Sequence, residues 1–254
     1  MSLFQQKGMN TLLWILAATV IDGLIAFSGV LTLGLKKKTF ESVIFALVAF
    51  SAGALLAGGL FHLFLESLNY IKAQTAILML LVGFIFFFLM ERILRWHHCH
   101  EGHCKVHPVN SLILLGDGLH NFIDGLVMAA SFIVGVPFGI ITSLMMYAHE
   151  IPQELGNFAV LVHNKMLKGK ALWFNFLAQL TCVLGGIVGY LFRQMDLFRN
   201  LLMPFAAGGF LYIAASDLIP ELHKEANLKV SIKAFLFFLV GVGFMIAVKF
   251  LLNG

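Results

Sequence analysis

Long apolar stretches alternate with short polar connections along the whole chain. About 20 mainly apolar residues are enough for an α-helix to cross the hydrocarbon core of a bilayer. The pattern predicts eight such spans, at 10–33, 43–66, 74–94, 110–132, 137–161, 171–192, 201–220 and 232–252. Because these runs are too long and continuous for barrel strands, the predicted fold class is an all-α polytopic membrane protein, with 1–254 as a single transmembrane domain.

Polar residues interrupt the fourth and fifth spans at helical spacing. Residues three or four apart on an α-helix share a face, so each span presents polar stripes. An ionisable group inside hydrocarbon costs roughly 2.5–3.5 kcal/mol on insertion scales, and such groups therefore usually face an interior and act there. The predicted metal ligands on these two spans are His120, Asn121, Asp124, His149, Glu150, Gln153 and Glu154.

This mixture of imidazole nitrogens, amide oxygens and carboxylates suits Zn²⁺, and also Fe²⁺, Mn²⁺ or Cd²⁺. Glu154 and the neighbouring Asp117 have a second interpretation, as partners that orient the imidazoles. A structural polar network between packed helices is the alternative for the whole cluster. Pro152 predicts a kink in the fifth span, where the freed carbonyls of Ala148 and His149 would face the ion unless the kink serves packing alone.

Polar groups on other spans extend the candidate route. His62 and Glu66 lie toward the end of the second span, and Asp217, Glu221 and His223 toward the end of the seventh; they are predicted entrance and exit ligands, or else interfacial residues that meet water. Asp22, Asn175 and Gln179 are lone polar groups in apolar runs, for which interhelical hydrogen bonds are expected. Gln179 is the strongest pathway candidate of these three, and it is predicted to line the transport pathway together with Asp117.

The chain contains an internal repeat. Phe50–Glu66 and Phe205–Glu221 align without a gap at an offset of 155, with six of 17 positions identical. The two segments are five spans apart and therefore cross the membrane in opposite directions. Inverted repeats are typical of transporters, with the substrate site between the halves. The sequence thus predicts a 3+2+3 inverted-repeat arrangement with spans 4 and 5 at the centre; a chance likeness of two Gly- and Ala-rich spans is the alternative.

Composition narrows the class further. The chain is 60% hydrophobic and 12% charged, which excludes a soluble domain. The net charge of +4 does not indicate nucleic-acid binding, because the basic residues sit in loops and not on one face. Twelve of the 17 Lys and Arg residues fall on one side, which predicts a cytoplasmic side there and both termini outside. The short loops fit a plasma (inner) membrane location, with an organelle membrane as the alternative. The N-terminal residues lack signal-peptide features, so the first span is expected to be retained.

A loop at 95–109 is rich in His and Cys. Such tracts are typical of metal binding, and their spacing here matches no zinc finger, which predicts a flexible acceptor or, alternatively, a solvated loop without a role. Three cysteines in the chain do not suggest a disulfide framework. The predicted loop ligands are His97, His98, Cys99, His100, His103, Cys104 and His107.

The motifs HNFIDG at 120–125, HEIPQE at 149–154 and PFAAGGFLYIAASDLIPEL at 204–222 resemble the ZIP (Zrt/Irt-like) family of divalent metal transporters, in its LIV-1-like branch. The resemblance implies an ion route through spans 2, 4, 5 and 7, a two-site metal centre and uptake toward the cytoplasm. It implies that His120 and position 153 help form one site, and that Asn121 and Glu150 form the other with position 153 bridging. At positions 149–154 the motif of this branch resembles HEIPHE, with a histidine where this chain has Gln153. Gln153 offers only a neutral carbonyl oxygen as a ligand.

The predicted function is therefore transport of divalent metal cations, zinc first, with the metal as substrate, no organic cofactor and no enzymatic activity. The bilayer and metal ions are the predicted partners, no nucleic acid is expected, and a homodimer is compatible with the sequence. An intramembrane zinc-dependent hydrolase is the alternative, because HEIPQ resembles the HExxH of metalloproteases. A metal sensor that uses the His/Cys loop is a third interpretation.

Overall fold

The computed structural model describes residues 3–34, 37–96 and 106–253, and over these ranges it contains helices and no strand. Helix α1 is Leu3–Ile25, extended by a 3₁₀ segment at Ala26–Gly34. Seven further helices follow, of which α6 consists of two consecutive segments. Their ranges are α2 Lys37–Ala57, α3 Ala73–Trp96, α4 Val106–Val134, α5 Val136–His163, α6 Lys168–Gln179 with Thr181–Leu191, α7 Asp196–Ile213 and α8 Leu228–Asn253.

Within the described ranges, seven helices are long and apolar enough to cross a membrane. Helix α5 is not among them, although its 28 residues correspond to roughly 42 Å of α-helix. It contains the polar sequence HEIPQE, which interrupts its apolar character. The all-helical polytopic fold is confirmed, and the number of eight spans stays a prediction.

Helices α2 and α7 both contain a π-helical turn. Helix α2 continues through the π turn Gly58–Phe64 into Leu65–Ser67, and α7 continues through Ala214–Leu218 into Ile219–His223. Shifted by the repeat offset of 155, the first turn falls on 213–219, which includes the second. The two halves therefore share an irregularity that the sequence repeat does not itself specify, and π turns often occur at functional positions.

Three helix pairs approach each other closely through glycines. In each pair, a glycine on one helix lies against a backbone carbonyl of the other, and the partner helix returns the same contact. A Cβ atom at any of these glycines would overlap that carbonyl, so the helices approach closely because no side chain stands between them. The contacts are Gly53 with Phe238 and Gly241 with Phe50 for α2–α8, Gly83 with Phe205 and Gly208 with Leu80 for α3–α7, and Gly125 with Cys182 and Gly185 with Phe122 for α4–α6.

The α2–α8 and α7–α3 contacts correspond to each other under the predicted repeat, in which spans 1–3 match spans 6–8. Gly53 and Gly208 differ by the repeat offset of 155 and make equivalent contacts.

The buried share of each helix shows which helices lie inside the bundle. In α4, 67% of the membrane-length window is buried, against 17% in α3 and in α8. Helices α3 and α8 therefore lie at the periphery, and α4 lies in the interior.

We expect Gly125→Ala to destabilise the α4–α6 pair, because the new methyl group would overlap the Cys182 carbonyl, which belongs to the backbone of α6. Overpacking of this kind costs about 1–3 kcal/mol. Thermal unfolding of the purified protein in detergent should show a lower midpoint for this variant. Gly243→Ala is the matched control, since a Cβ there meets nothing within 4 Å. Equal midpoints for the two variants would contradict the close packing.

Candidate metal site

The hairpin of α4 and α5 turns within a single residue, Gly135, and Pro137 lies in the first turn of α5. Proline suits that position because its missing N–H has no partner in a first turn and its fixed φ is already helical. The two helices therefore pack side by side. His120 and Asp124 lie one turn apart on α4, and His149 and Glu150 are adjacent on α5.

Four ligand atoms from these residues converge between the two helices. His120, Asp124, His149 and Glu150 are all buried, and one ligand atom from each lies within 4.8 Å of the other three. The two Nε2 atoms are 3.2 Å apart. Asp124 Oδ2 lies 3.5 Å from Nε2 of His120 and 3.2 Å from Nε2 of His149. Glu150 Oε1 lies 3.4 Å from each of the same two nitrogens.

Five of the six separations among these atoms are close to those around a tetrahedral ion. Ligand bonds of about 2.0–2.2 Å to zinc place neighbouring ligand atoms roughly 3.3–3.6 Å apart. Both oxygens of Asp124, and Oε1 of Glu150, have no hydrogen-bond partner among the described residues. Buried polar atoms normally have partners, so an unpaired group calls for an explanation such as an ion. A divalent cation at the centre of the four atoms would supply it.

Neighbouring groups orient the two imidazoles. His149 Nδ1 lies 3.1 Å from the Met145 carbonyl oxygen, and the tautomer with hydrogen on Nδ1 donates to it. That tautomer leaves the Nε2 lone pair directed at the cluster. Phe87 of α3 meets the His120 ring edge-on with centroids 6.1 Å apart, and Phe210 of α7 lies 5.8 Å from the His149 ring. Aromatic side chains of α3 and α7 therefore contact both imidazoles.

Gln153, Asn121 and Glu154 lie outside this group of four. Gln153 Nε2 donates to Asp117 Oδ1 at 3.1 Å, and Asn157 Nδ2 donates to the same oxygen at 2.8 Å. Asn121 Nδ2 donates to the Asp117 carbonyl one turn earlier on its own helix, at 3.0 Å. Both carboxylate oxygens of Glu154 are buried without a hydrogen-bond partner in the part of the chain that the structure describes. Two amide donors of α5, Gln153 and Asn157, thus meet at one oxygen of the Asp117 carboxylate on α4.

Gln179 connects Glu150, a member of the group of four ligand residues, to helix α1. Its Nε2 donates to Glu150 Oε2 at 3.1 Å and to Asp22 Oδ2 at 2.9 Å. Asn175, one turn earlier, donates to the Glu154 carbonyl at 3.5 Å. The interhelical hydrogen bonds predicted for all three lone polar residues are therefore present, and Gln179 contacts a member of the candidate site.

Pro152 has no backbone N–H, so the Ala148 carbonyl one turn earlier lacks its helical donor, as the sequence predicts. The Ser51 hydroxyl of α2 lies within hydrogen-bond distance of that oxygen and 2.7 Å from the Leu47 carbonyl of its own helix, so its single hydrogen is shared between the two acceptors. Ser51 is fully buried. This contact ties α2 to α5 directly before His149, and the prediction that the freed carbonyls face the metal stays a prediction.

The candidate entrance and exit residues lie apart from the cluster. His62 is 1% exposed, and its Nε2 is 3.3 Å from the Phe138 carbonyl and 3.2 Å from Thr142 Oγ1. Glu66 accepts a hydrogen bond from Tyr70 at 3.3 Å. At the other end, Asp217 is half-buried and His223 is exposed, while Glu221 pairs with Lys224 at 2.5 Å.

The His/Cys loop prediction falls on residues that the structure does not describe. His97, His98, Cys99, His100, His103 and Cys104 lie at 97–105, outside the described ranges, and only the backbone of His107 belongs to α4. Sequence reasoning missed two residues near the site, Ser51 and Asn157. Asn157 follows Gln153 by one helical turn, and this spacing was a usable signal. Ser51 gave none, because serine is common in Gly- and Ala-rich spans.

Membrane-length helices around a buried cluster of imidazoles and carboxylates place the chain among multi-pass membrane proteins with a candidate metal site. A family profile described as ZIP Zinc transporter matches residues 97–249, which is more than half of the chain. The chain belongs to the ZIP family.

Individual relatives agree with the family match. The chain is similar to the Metal cation symporter ZIP14 of Xenopus tropicalis, 45% identical over 116 residues that cover 46% of this chain and 25% of that protein. It is 37% identical over 138 residues to the Zinc transporter foi of Drosophila melanogaster, which covers 54% of this chain and 20% of that protein. It is 35% identical over 148 residues to the Zinc transporter ZIP10 of Homo sapiens, which covers 52% of this chain and 18% of that protein. These matches confirm the resemblance to the LIV-1-like branch.

The matched segments span about a quarter or less of the length of these relatives.

The hydrolase alternative is not supported. The family is one of transporters, and the second histidine of an HExxH pattern is replaced by Gln153, whose amide bonds to Asp117.

We expect Ser51→Ala to lower the unfolding midpoint of the detergent-solubilised protein, because the Ala148 carbonyl loses its donor. An unsatisfied buried acceptor costs about 1–3 kcal/mol. Pro152→Ala restores a backbone N–H at position 152 that can donate to the same carbonyl. In that background, Ser51→Ala should cost much less.

Ser131→Ala is the control, because the Ser131 hydroxyl is buried without a hydrogen-bond partner among the described residues. An equal effect of Ser51→Ala in the two backgrounds would show that the Ser51–Ala148 contact does not contribute.

Proposed function

We propose that the chain transports divalent metal cations, zinc first, across a membrane through the group formed by His120, Asp124, His149 and Glu150. The observation that carries the proposal is the tetrahedral spacing of four buried ligand atoms on two adjacent helices of a ZIP-family membrane protein. Two imidazole nitrogens and two carboxylate oxygens suit zinc and related borderline metals. The set contains no thiolate, and moderate affinity lets an ion leave as well as enter.

The proposed route continues on both sides of this group. His62 and Glu66 lie on one side and Asp217, Glu221 and His223 on the other, with Asp117, Gln153 and Glu154 beside the histidines. The orientation with both termini outside follows from the distribution of the basic residues. Movement toward the cytoplasm is the direction that the family resemblance implies, and the short loops fit a plasma-membrane location. The eight helices form one transmembrane unit in this proposal, with the His/Cys loop at 95–109 on the cytoplasmic side and a homodimer as the expected assembly.

Metal flux into proteoliposomes tests the transport proposal. We expect the parent protein to admit Zn²⁺, with Fe²⁺, Mn²⁺ and Cd²⁺ measured beside it. The double variant His120→Ala, Glu150→Ala should lose at least ten-fold in zinc flux, because it removes two of four ligands. His163→Ala, an exposed histidine of the same helix α5, is the control and should transport like the parent. A parent without flux for any of the four metals would contradict the proposal.

We also propose that the histidine group holds one ion. Bridging two cations suits a carboxylate, whereas Gln153 offers only a neutral carbonyl oxygen, and its NH₂ group donates to Asp117. Zinc binding to the purified parent and to the same double variant should therefore differ by one ion per chain, because the His/Cys loop contributes equally to both. A difference of two ions would show a binuclear centre.

A further inference from the structure

Helix α1 contributes one ionisable group to the protein interior beside the candidate site. Asp22 is fully buried, as are Gln179 of α6 and Glu150 of α5. The Gln179 amide nitrogen lies between the two carboxylates, 2.9 Å from Asp22 Oδ2 and 3.1 Å from Glu150 Oε2. An amide NH₂ has two hydrogens, so one can go to each carboxylate. The three side chains form a continuous carboxylate–amide–carboxylate bridge from α1 to the metal group.

The bridge acts on one oxygen of Glu150 and leaves the other free. Oε2 accepts from Gln179, whereas Oε1 lies 3.4 Å from both histidine Nε2 atoms and has no hydrogen-bond partner within the described ranges. A carboxylate held through one oxygen presents the other in a fixed direction. Hydrogen bonds of this kind to a ligating group fix its orientation and support metal affinity.

Asp22 decides which way the Gln179 amide faces. The amide has an acceptor end and a donor end of nearly equal size, and the donor end is favoured where two carboxylates flank it. Without Asp22, the amide would retain a single carboxylate partner and could turn its oxygen toward the interior. A separate contact keeps α1 in register with α5, since Tyr147 donates to the Ala18 carbonyl at 2.8 Å, one turn before Asp22.

Packing alone does not account for Asp22. A buried carboxylate is costly unless it is paired, and among the described residues no Lys, Arg or His forms an ion pair with Asp22. Asp22 Oδ1 also lacks a hydrogen-bond partner there. Thr19, one turn earlier and equally buried, satisfies its hydroxyl within its own helix by donating to the Ile15 carbonyl at 2.9 Å. Thr19 and Asp22 therefore differ in what they contact.

We propose that Asp22 is a positioning residue for metal binding, acting through Gln179 on the orientation of Glu150. The proposal rests on the proposed transport function. It extends the site to a third and a fourth helix, so that α1, α4, α5 and α6 together determine how tightly the ion is held. Asp22 itself does not contact the four converging ligand atoms.

The zinc dependence of flux in proteoliposomes tests this role with the full chain. Asp22→Leu should raise the KM for Zn²⁺ by about 10–100-fold, the range expected when a partner that orients a ligand is lost. Asp22→Asn keeps an oxygen acceptor for the Gln179 amide and should stay within about three-fold of the parent. Thr19→Val, a change of similar burial on the same helix, is the control and should leave KM unchanged.

A double-variant cycle tests whether Asp22 acts through Gln179. Gln179→Leu should raise KM about as much as Asp22→Leu, and the double variant should be no worse than either single one, because all three remove the same bridge. A purely structural loss would instead lower the maximal flux through fewer folded molecules and leave KM in place.

Three results would overturn the proposal: an Asp22→Leu variant with the KM of the parent, an Asp22→Asn variant as impaired as Asp22→Leu, or single effects that multiply in the double variant. If Asp22→Leu does not fold, Asp22→Asn and Gln179→Leu still decide the question. Absence of zinc flux in the parent would instead refute transport itself, so the two failures are distinguishable.

Discussion

Five carboxyl groups, Asp22, Asp117, Asp124, Glu150 and Glu154, and the imidazoles of His120 and His149 are buried inside a helical bundle whose exterior is apolar. Placing such groups in a low-dielectric interior is expensive unless each finds a partner. Amide donors serve some of them: Gln153 and Asn157 bond to Asp117, and Gln179 bonds to Asp22 and Glu150. The buried side-chain atoms without a hydrogen-bond partner among the described residues are mainly carboxylate oxygens, including both of Asp124, whose Oδ2 lies beside the two histidine nitrogens. A cation held between these groups would be their natural partner.

Close helix packing makes this concentration of polar groups possible. The α4–α6 contact at Gly125 and Gly185 brings the backbone of α6 against the helix that contributes His120 and Asp124. Gln179 lies less than two turns before Gly185, and this proximity places its amide within reach of Glu150. A side chain at either glycine would push α6 outward and lengthen that hydrogen bond. The glycines and the polar bridge are thus parts of one arrangement, although they lie on different faces of α6.

Much of the fold and part of the site follow from sequence pattern. Hydrophobic runs predict the helices, because the bilayer sets their length, and the i, i+4 spacing predicts that His120 and Asp124 share a face. Spacing within one helix does not give the rotation of that helix against its neighbour. Spacing therefore could not show that one ligand atom from each of His120, Asp124, His149 and Glu150 lies within 4.8 Å of the other three. Gln153 and Glu150 are both on α5 and three residues apart, yet they contact different groups.

The remaining features depend on contacts between residues far apart in the chain. Asp22 and Gln179 are 157 positions apart, and Ser51 and Ala148 are 97 apart, so no local pattern could pair them. The π turns of α2 and α7 were also not predicted, since nothing in Gly- and Ala-rich segments distinguishes them from regular helix. The two turns nevertheless lie at matching positions under the repeat, and each contains one of the aligned polar residues His62 and Asp217. Both halves of the repeat therefore carry a polar residue in a π turn. An inverted repeat that preserves this irregularity would place equivalent polar groups on opposite sides of one central site, as alternating access from two faces of a membrane requires.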